Sequence, residues 1–138
     1  MNSSHLLAKS NINFTVAKQI QKSHSNTSVH CSYYACLQVF KHILIHKLGK
    51  SEASLKAENE LKIKKLGSHE LVLDTVLENL RLNDKSLYTS LRSWIYDLRN
   101  FRVTADYADE PIVEDKGKEA YELAAKIDLN LNNHYYYK

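Results

Sequence analysis

Proline and glycine are nearly absent from this chain: it has one Pro and three Gly in 138 residues. A fold of many short strands needs those residues at its turns, so their scarcity argues for long uninterrupted helices. Cysteine is also scarce. Cys31 and Cys36 stand alone, five apart within an expected helix and off a common face, so a bridge between them is not expected and the pair reads as two buried thiols. No long apolar run is present. The stretch from Val39 to Leu48 is broken by Lys41, His42, His46 and Lys47, so no membrane span is expected. The start, Met1-Asn2-Ser3-Ser4-His5, has no basic segment leading into an apolar run, and the expectation is a cytoplasmic chain without a signal peptide. Charge of one sign is not abundant either. A net charge of +3 permits contact with nucleic acid without requiring it.

What is present is helical periodicity. Hydrophobic residues at 43% and charged residues at 25% are the proportions of an ordinary globular domain, long enough for a real core. One domain is expected over residues 1–138, with its core at about 6–131 and a Tyr-rich tail at 132–138. Five helical segments follow from the spacing, and none alternates as a strand would. The first runs from Leu6 to Lys22, interrupted by Asn11 and Asn13. The second carries Val29, Tyr33, Leu37, Phe40, Leu44 and Leu48, with Asn26, Thr27 or Ser28 as cap and Gly49 at its end. Ser51 to Lys65 is a charged connection with room for a short helix. Ser68 is placed to cap a third segment with Leu73, Val76, Leu77 and Leu80. The fourth, begun by Asn83, Asp84 or Ser86, has the cleanest period: Leu87, Leu91, Trp94, Ile95, Leu98 and Phe101. Asp109-Glu110-Pro111 marks a loop. The last segment, Asp115 to Leu131, carries Ala120, Leu123, Ala124, Ile127 and Leu131. The pattern predicts an all-α, up-and-down antiparallel helical bundle.

Polar chemistry concentrates at the end of the fourth segment. Arg99, Asn100, Arg102, Asp106 and Tyr107 fall within nine residues. Arg102 and Asp106 have the i,i+4 spacing of an ion pair, and two arginines offer forks suited to a phosphate or a carboxylate. Three other places bear on chemistry. His69 begins the third segment, where it serves either as a proton donor or as a residue that fixes a loop. His42 and His46 are four apart, but two imidazoles without a third ligand read as solvated surface, and no metal or cofactor is expected. His24 and His30 carry no signal. Tyr135 to Tyr137 cannot all face one core, so either they fray or a base or second subunit covers them.

Three elements occur in an order that resembles the HEPN-domain proteins: Ser32-Tyr33-Tyr34-Ala35, then Ser68-His69-Glu70-Leu71, then Arg99 to Tyr107 with its Ala105-Asp106-Tyr107 ending. Together they span roughly residues 25–130. The resemblance implies a bundle that dimerises near its fourth helix and belongs to a toxin–antitoxin or defence-related pair, often beside a nucleotidyltransferase-type partner. Ribonuclease members of that family carry a histidine after four to six residues following the arginine. From Arg99 those positions are Thr104, Ala105 and Asp106; from Arg102 they are Tyr107, Ala108 and Asp109. The expected function is therefore binding, with Arg99, Asn100, Arg102, Asp106 and Tyr107 contacting a partner protein, a nucleotide or an RNA phosphate. The alternatives are a metal-independent ribonuclease with an altered site (Arg99, Arg102, His69 and Tyr107) and a purely structural interaction module.

Overall fold

A computed structural model describes residues 5–62, 64–109 and 114–136. They form six helices in a bundle: α1 (His5–Ile20), α2 (Ser25–His46), α3 (Glu52–Glu60), α4 (Ser68–Asn83), α5 (Lys85–Tyr107) and α6 (Glu114–Tyr135). No strand occurs among the described residues. The Pro111 loop signal, the chain start at residues 1–4 and Tyr137 lie outside them.

The count exceeds the five expected because α3 forms within the charged connection. Its apolar pattern is too short to see, with Leu55 its one buried hydrophobic residue. Local hydrogen bonds define it instead: Ser51 and Ser54 cap each other's backbone N–H at 3.0 and 3.4 Å, which satisfies donors that a helix start leaves open. Beyond α3, the Asn59 amide donates to the Leu66 carbonyl at 2.9 Å and accepts from the Leu66 N–H at 3.0 Å. One side chain thereby closes the loop into α4.

α2 is the axial element, packed on α1, α4, α5 and α6. A helix surrounded by others must be apolar on more than one face, and Tyr33, Cys36, Leu37, Phe40, Ile43 and Leu44 are all fully buried. They meet Leu73, Val76 and Leu80 of α4, Leu91, Ile95 and Leu98 of α5, and Ala120, Ala124, Ile127 and Leu131 of α6 in one core. Cys36 belongs to this core, whereas Cys31 is half-buried, and both thiols are free.

Helix ends depart from expectation where a side chain finds a better partner. Asn26, Thr27 and Ser28 do not cap α2, which begins at Ser25 after His24. The Asn26 amide donates to the Ala105 carbonyl at 3.2 Å, and the Ser28 hydroxyl to the Ala17 carbonyl at 2.8 Å. Ser68 likewise lies inside α4, behind Gly67. Asp84 does cap α5, accepting from the Leu87 N–H at 3.1 Å, and it is the only residue separating α4 from α5. Gly49 has φ +65°, a left-handed conformation that costs glycine nothing. Its neighbours Leu48 and Lys50 donate backbone N–H groups to the Ile43 and Leu44 carbonyls.

α1 meets its neighbours through small buried residues, with Leu7 and Phe14 packed partly against the core. Its buried side chains are Ser10 and Ala17, and the Ser10 hydroxyl donates to the Ala35 carbonyl at 2.7 Å. Close approach also governs the start of α6, where the Gly117 N–H donates to the buried Ser25 hydroxyl at 2.8 Å. A Cβ on Gly117 would strike the Gln21 carbonyl oxygen and lie 3.1 Å from Ser25 Cα.

Candidate functional site

α5 continues six residues past Phe101, so Arg102, Asp106 and Tyr107 lie on its final turns rather than in a following loop. The continuous helix sets their geometry. Arg102 Nε donates to Asp106 Oδ2 at 3.0 Å across one turn, the i,i+4 pair the spacing predicts. Arg102 Nη2 lies 3.3 Å from both the Tyr34 and the Tyr107 hydroxyls. Its guanidinium carbon is 5.5, 5.4 and 5.4 Å from the ring centres of Tyr33, Tyr34 and Tyr107, within range of attraction to aromatic faces. Ion pair, hydroxyls and rings thus fix one long side chain in place.

The side chains of Arg102 and Asp106 are only 13% and 19% exposed, although Asp106 itself sits on the open end of α5. Tyr107 is 72% exposed. It meets Arg102 through its hydroxyl and ring but does not pack into the bundle end. Around these residues opens a groove of about 630 Å³, lined by Asn26, Thr27, His30, Tyr34, Arg102 and Asp106, with Tyr107 at its side.

His30 is the residue that sequence reasoning missed. Its Nδ1 lies 2.9 Å from Asp106 Oδ2, and its ring lies 4.6 Å from that of Tyr34, tilted by 34°. One carboxylate oxygen therefore serves an arginine and a histidine at once. The available signal was positional: His30 precedes Tyr34 by four residues, and on a helix that places both on one face.

His69 joins the same aromatic cluster from the opposite side. Its Nδ1 is 3.2 Å from the Tyr33 hydroxyl, and Tyr34 meets its ring edge-on at 5.5 Å. Its ring thus bonds to a side chain of α2 rather than holding a loop, and it does not line the groove. Burial holds the His69 pKa below the ordinary histidine value, reinforced by the positive charges of Arg102, Lys41 and Arg99 and opposed by Glu52. Burial also pushes the Tyr33 hydroxyl up to about 12, against the pull of Arg99 and Arg102.

Two of the expected site residues do not reach the groove. Arg99 turns inward beside Tyr33, with a buried Nε that has no hydrogen-bond partner among the described residues. Asn100 is exposed and outside the lining. Elsewhere, His42 is not solvated surface: it is 6% exposed, with its ring 4.6 Å from His46 and 5.8 Å from Tyr136. Tyr135 and Tyr136 do not fray either, because α6 runs on to Tyr135, whose hydroxyl donates to Asn79 Oδ1 at 2.8 Å.

Among the described residues no three His, Cys, Asp or Glu side chains converge in a way that would hold a metal ion, and no helix is long and apolar enough to cross a membrane. The chemistry on offer is that of a fixed guanidinium beside an imidazole–carboxylate pair, with Asn26 and Thr27 of α2 also in the lining. No family model matches the chain, and neither does any curated protein or any solved structure.

Proposed function

We propose that this chain is an up-and-down antiparallel bundle of the HEPN type, a homodimer in a toxin–antitoxin or defence-related pair, whose Arg102 groove binds an RNA or nucleotide phosphate. The observation that carries the binding role is the support around Arg102. Asp106, Tyr34 and Tyr107 engage Nε and Nη2, leaving Nη1 without such a tie among the described residues while the side chain borders the open groove. An arginine ordered before its ligand arrives loses less freedom on binding, and its planar fork matches phosphate oxygens. The setting, the dimer and the nucleotidyltransferase-type partner rest on the resemblance of the three ordered elements, Ser32 to Ala35, Ser68 to Leu71 and Arg99 to Tyr107. Fluorescence anisotropy of a labelled single-stranded RNA tests the binding role. Arg102→Ala is expected to weaken binding by about tenfold or more, and unchanged affinity in a folded variant would reject it.

A second reading, a metal-independent ribonuclease, is favoured by one contact. His30 beside Asp106 supplies an imidazole at the guanidinium, which the chain spacing after Arg99 and Arg102 does not. Proton transfer by that imidazole and charge stabilisation by Arg102 are the roles such a reaction requires. Incubating total RNA with the protein in chelator separates the readings. Cleavage that disappears in His30→Ala makes the protein an enzyme, and intact RNA in every lane leaves binding as its role.

A further inference from the structure

A second groove, of about 640 Å³, runs along α4, and none of its lining belongs to the Arg102 site. Its floor follows one face of α4, where Leu71, Asp74, Thr75, Glu78 and Leu82 recur at three- and four-residue steps. Leu71 is buried, while Leu82 at the far end is 71% exposed. Leu48 and Leu66 add further apolar surface from the segments on either side of α3. From Leu71 to Leu82 the floor is about 16 Å long, three turns of helix.

The charges along this groove are unevenly satisfied. Asp74 accepts the Tyr96 hydroxyl at 2.7 Å, and Glu78 is paired with Arg81. Both acids thus have partners within the chain. Lys50, Lys62 and Arg92 also line the groove, and among the described residues none of the three has a carboxylate partner. Lys50 and Lys62 come from the segments flanking α3, and Arg92 comes from α5. The cations therefore approach α4 from two different parts of the fold, and the Arg92 guanidinium also lies 5.4 Å from the Tyr96 ring centre. A nucleic-acid strand fits this poorly, because Asp74 and Glu78 lie along the floor it would follow and the leucines offer it nothing.

We propose that this groove docks an amphipathic helix of a partner protein: about three turns long, with an apolar stripe that meets the leucines and acidic residues on both flanks that meet Lys50, Lys62 and Arg92. Seating an apolar helical face in a groove removes leucine surface from water, and the flanking charges select the partner and its direction. The site is independent of the phosphate-binding reading and stands or falls separately from it.

The test uses the full chain and two fluorescein-labelled synthetic helices of about twelve residues. One carries leucines every third or fourth position flanked by glutamates, and the other has each glutamate replaced by lysine. Saturable anisotropy is expected with the acidic helix, with the lysine version about tenfold weaker. Lys50→Glu combined with Arg92→Glu should reverse that preference. These are exposed positions, and circular dichroism of the variant reports that it has folded. The proposal is overturned if the acidic helix does not bind, if both helices bind alike, or if the charge reversals leave the preference unchanged. It is also overturned if light scattering shows a dimer that Leu82→Asp converts to monomer, since a second copy would then be the occupant.

Discussion

His30 and Asp106 are separated by 76 residues and meet at 2.9 Å, on an oxygen that also holds Arg102. If the groove only binds phosphate, the pair positions the arginine and the imidazole is secondary. His30→Ala should then keep RNA affinity within about twofold of the parent, whereas Arg102→Lys, which retains charge but loses the fork, should weaken it about tenfold. Anisotropy titrations of both variants read this directly. Equal affinity for Arg102→Lys and the parent would mean that charge alone is used.

Acid should loosen the bundle through its covered histidines. His69 has a pKa below the ordinary histidine value in the folded protein because of burial and the charges of Arg102, Lys41 and Arg99, and burial with His46 and Lys47 lowers His42 in the same way. The unfolded chain takes up those protons near pH 6.5, the folded chain only at lower pH. Stability is therefore complete above about pH 6.5 and is lost as pH falls through the folded values. Urea midpoints at pH 8, 6.5 and 5 should fall in that order, and His69→Gln should reduce the slope. A midpoint that rises on acidification would contradict the assignment.

Gly117→Ala should destabilise, although alanine is normally the better helix former by about 1 kcal/mol. The added methyl meets backbone on two sides, at Gln21 and Ser25, and backbone cannot rotate aside. A net loss of about 1–3 kcal/mol is expected, seen as a melting temperature lower by several degrees. A variant as stable as the parent would show that the start of α6 can shift.

The serines between α1 and α2 should divide by partner. Ser10 and Ser28 donate across the helix pair to the Ala35 and Ala17 carbonyls, so truncating either to alanine should cost about 1 kcal/mol. Ser32 is equally buried, yet its hydroxyl has no partner among the described residues. Ser32→Ala should be neutral or stabilising by up to about 1 kcal/mol. Denaturant titration of the three variants gives the ranking, and a loss at Ser32 equal to that at Ser10 would point to a hidden partner.

Whatever depends on spacing within one helix was legible in the sequence. Leu91, Ile95 and Leu98 form the buried stripe of α5, and the Arg102–Asp106 bond follows from the same 3.6-residue repeat. Contacts between helices were not legible. Periodicity says which face of α2 is apolar but not which end of α5 lies against its first turns, so His30 gave no sign of its carboxylate. Arg99 shows the reverse: three residues from Arg102, it reads in the sequence as an equal partner, but the helix leaves its Nε buried and the side chain outside the groove lining. α6 outlasts its expected end because Tyr135 finds Asn79 on another helix, a contact no local pattern encodes.

The sparse burial on α1 has a kinetic consequence. A helix whose buried side chains are one serine and one alanine, with Leu7 and Phe14 only partly covered, needs less free energy to detach than the whole bundle needs to unfold. Its amide hydrogens should exchange with solvent through local opening, well before those of α2, α4 and α5. The surface bared by such an opening includes Ser28 and Ala35, together with the core surface that Leu7 and Phe14 cover. Opening at this edge would therefore bare a mixed surface, small polar groups beside apolar core.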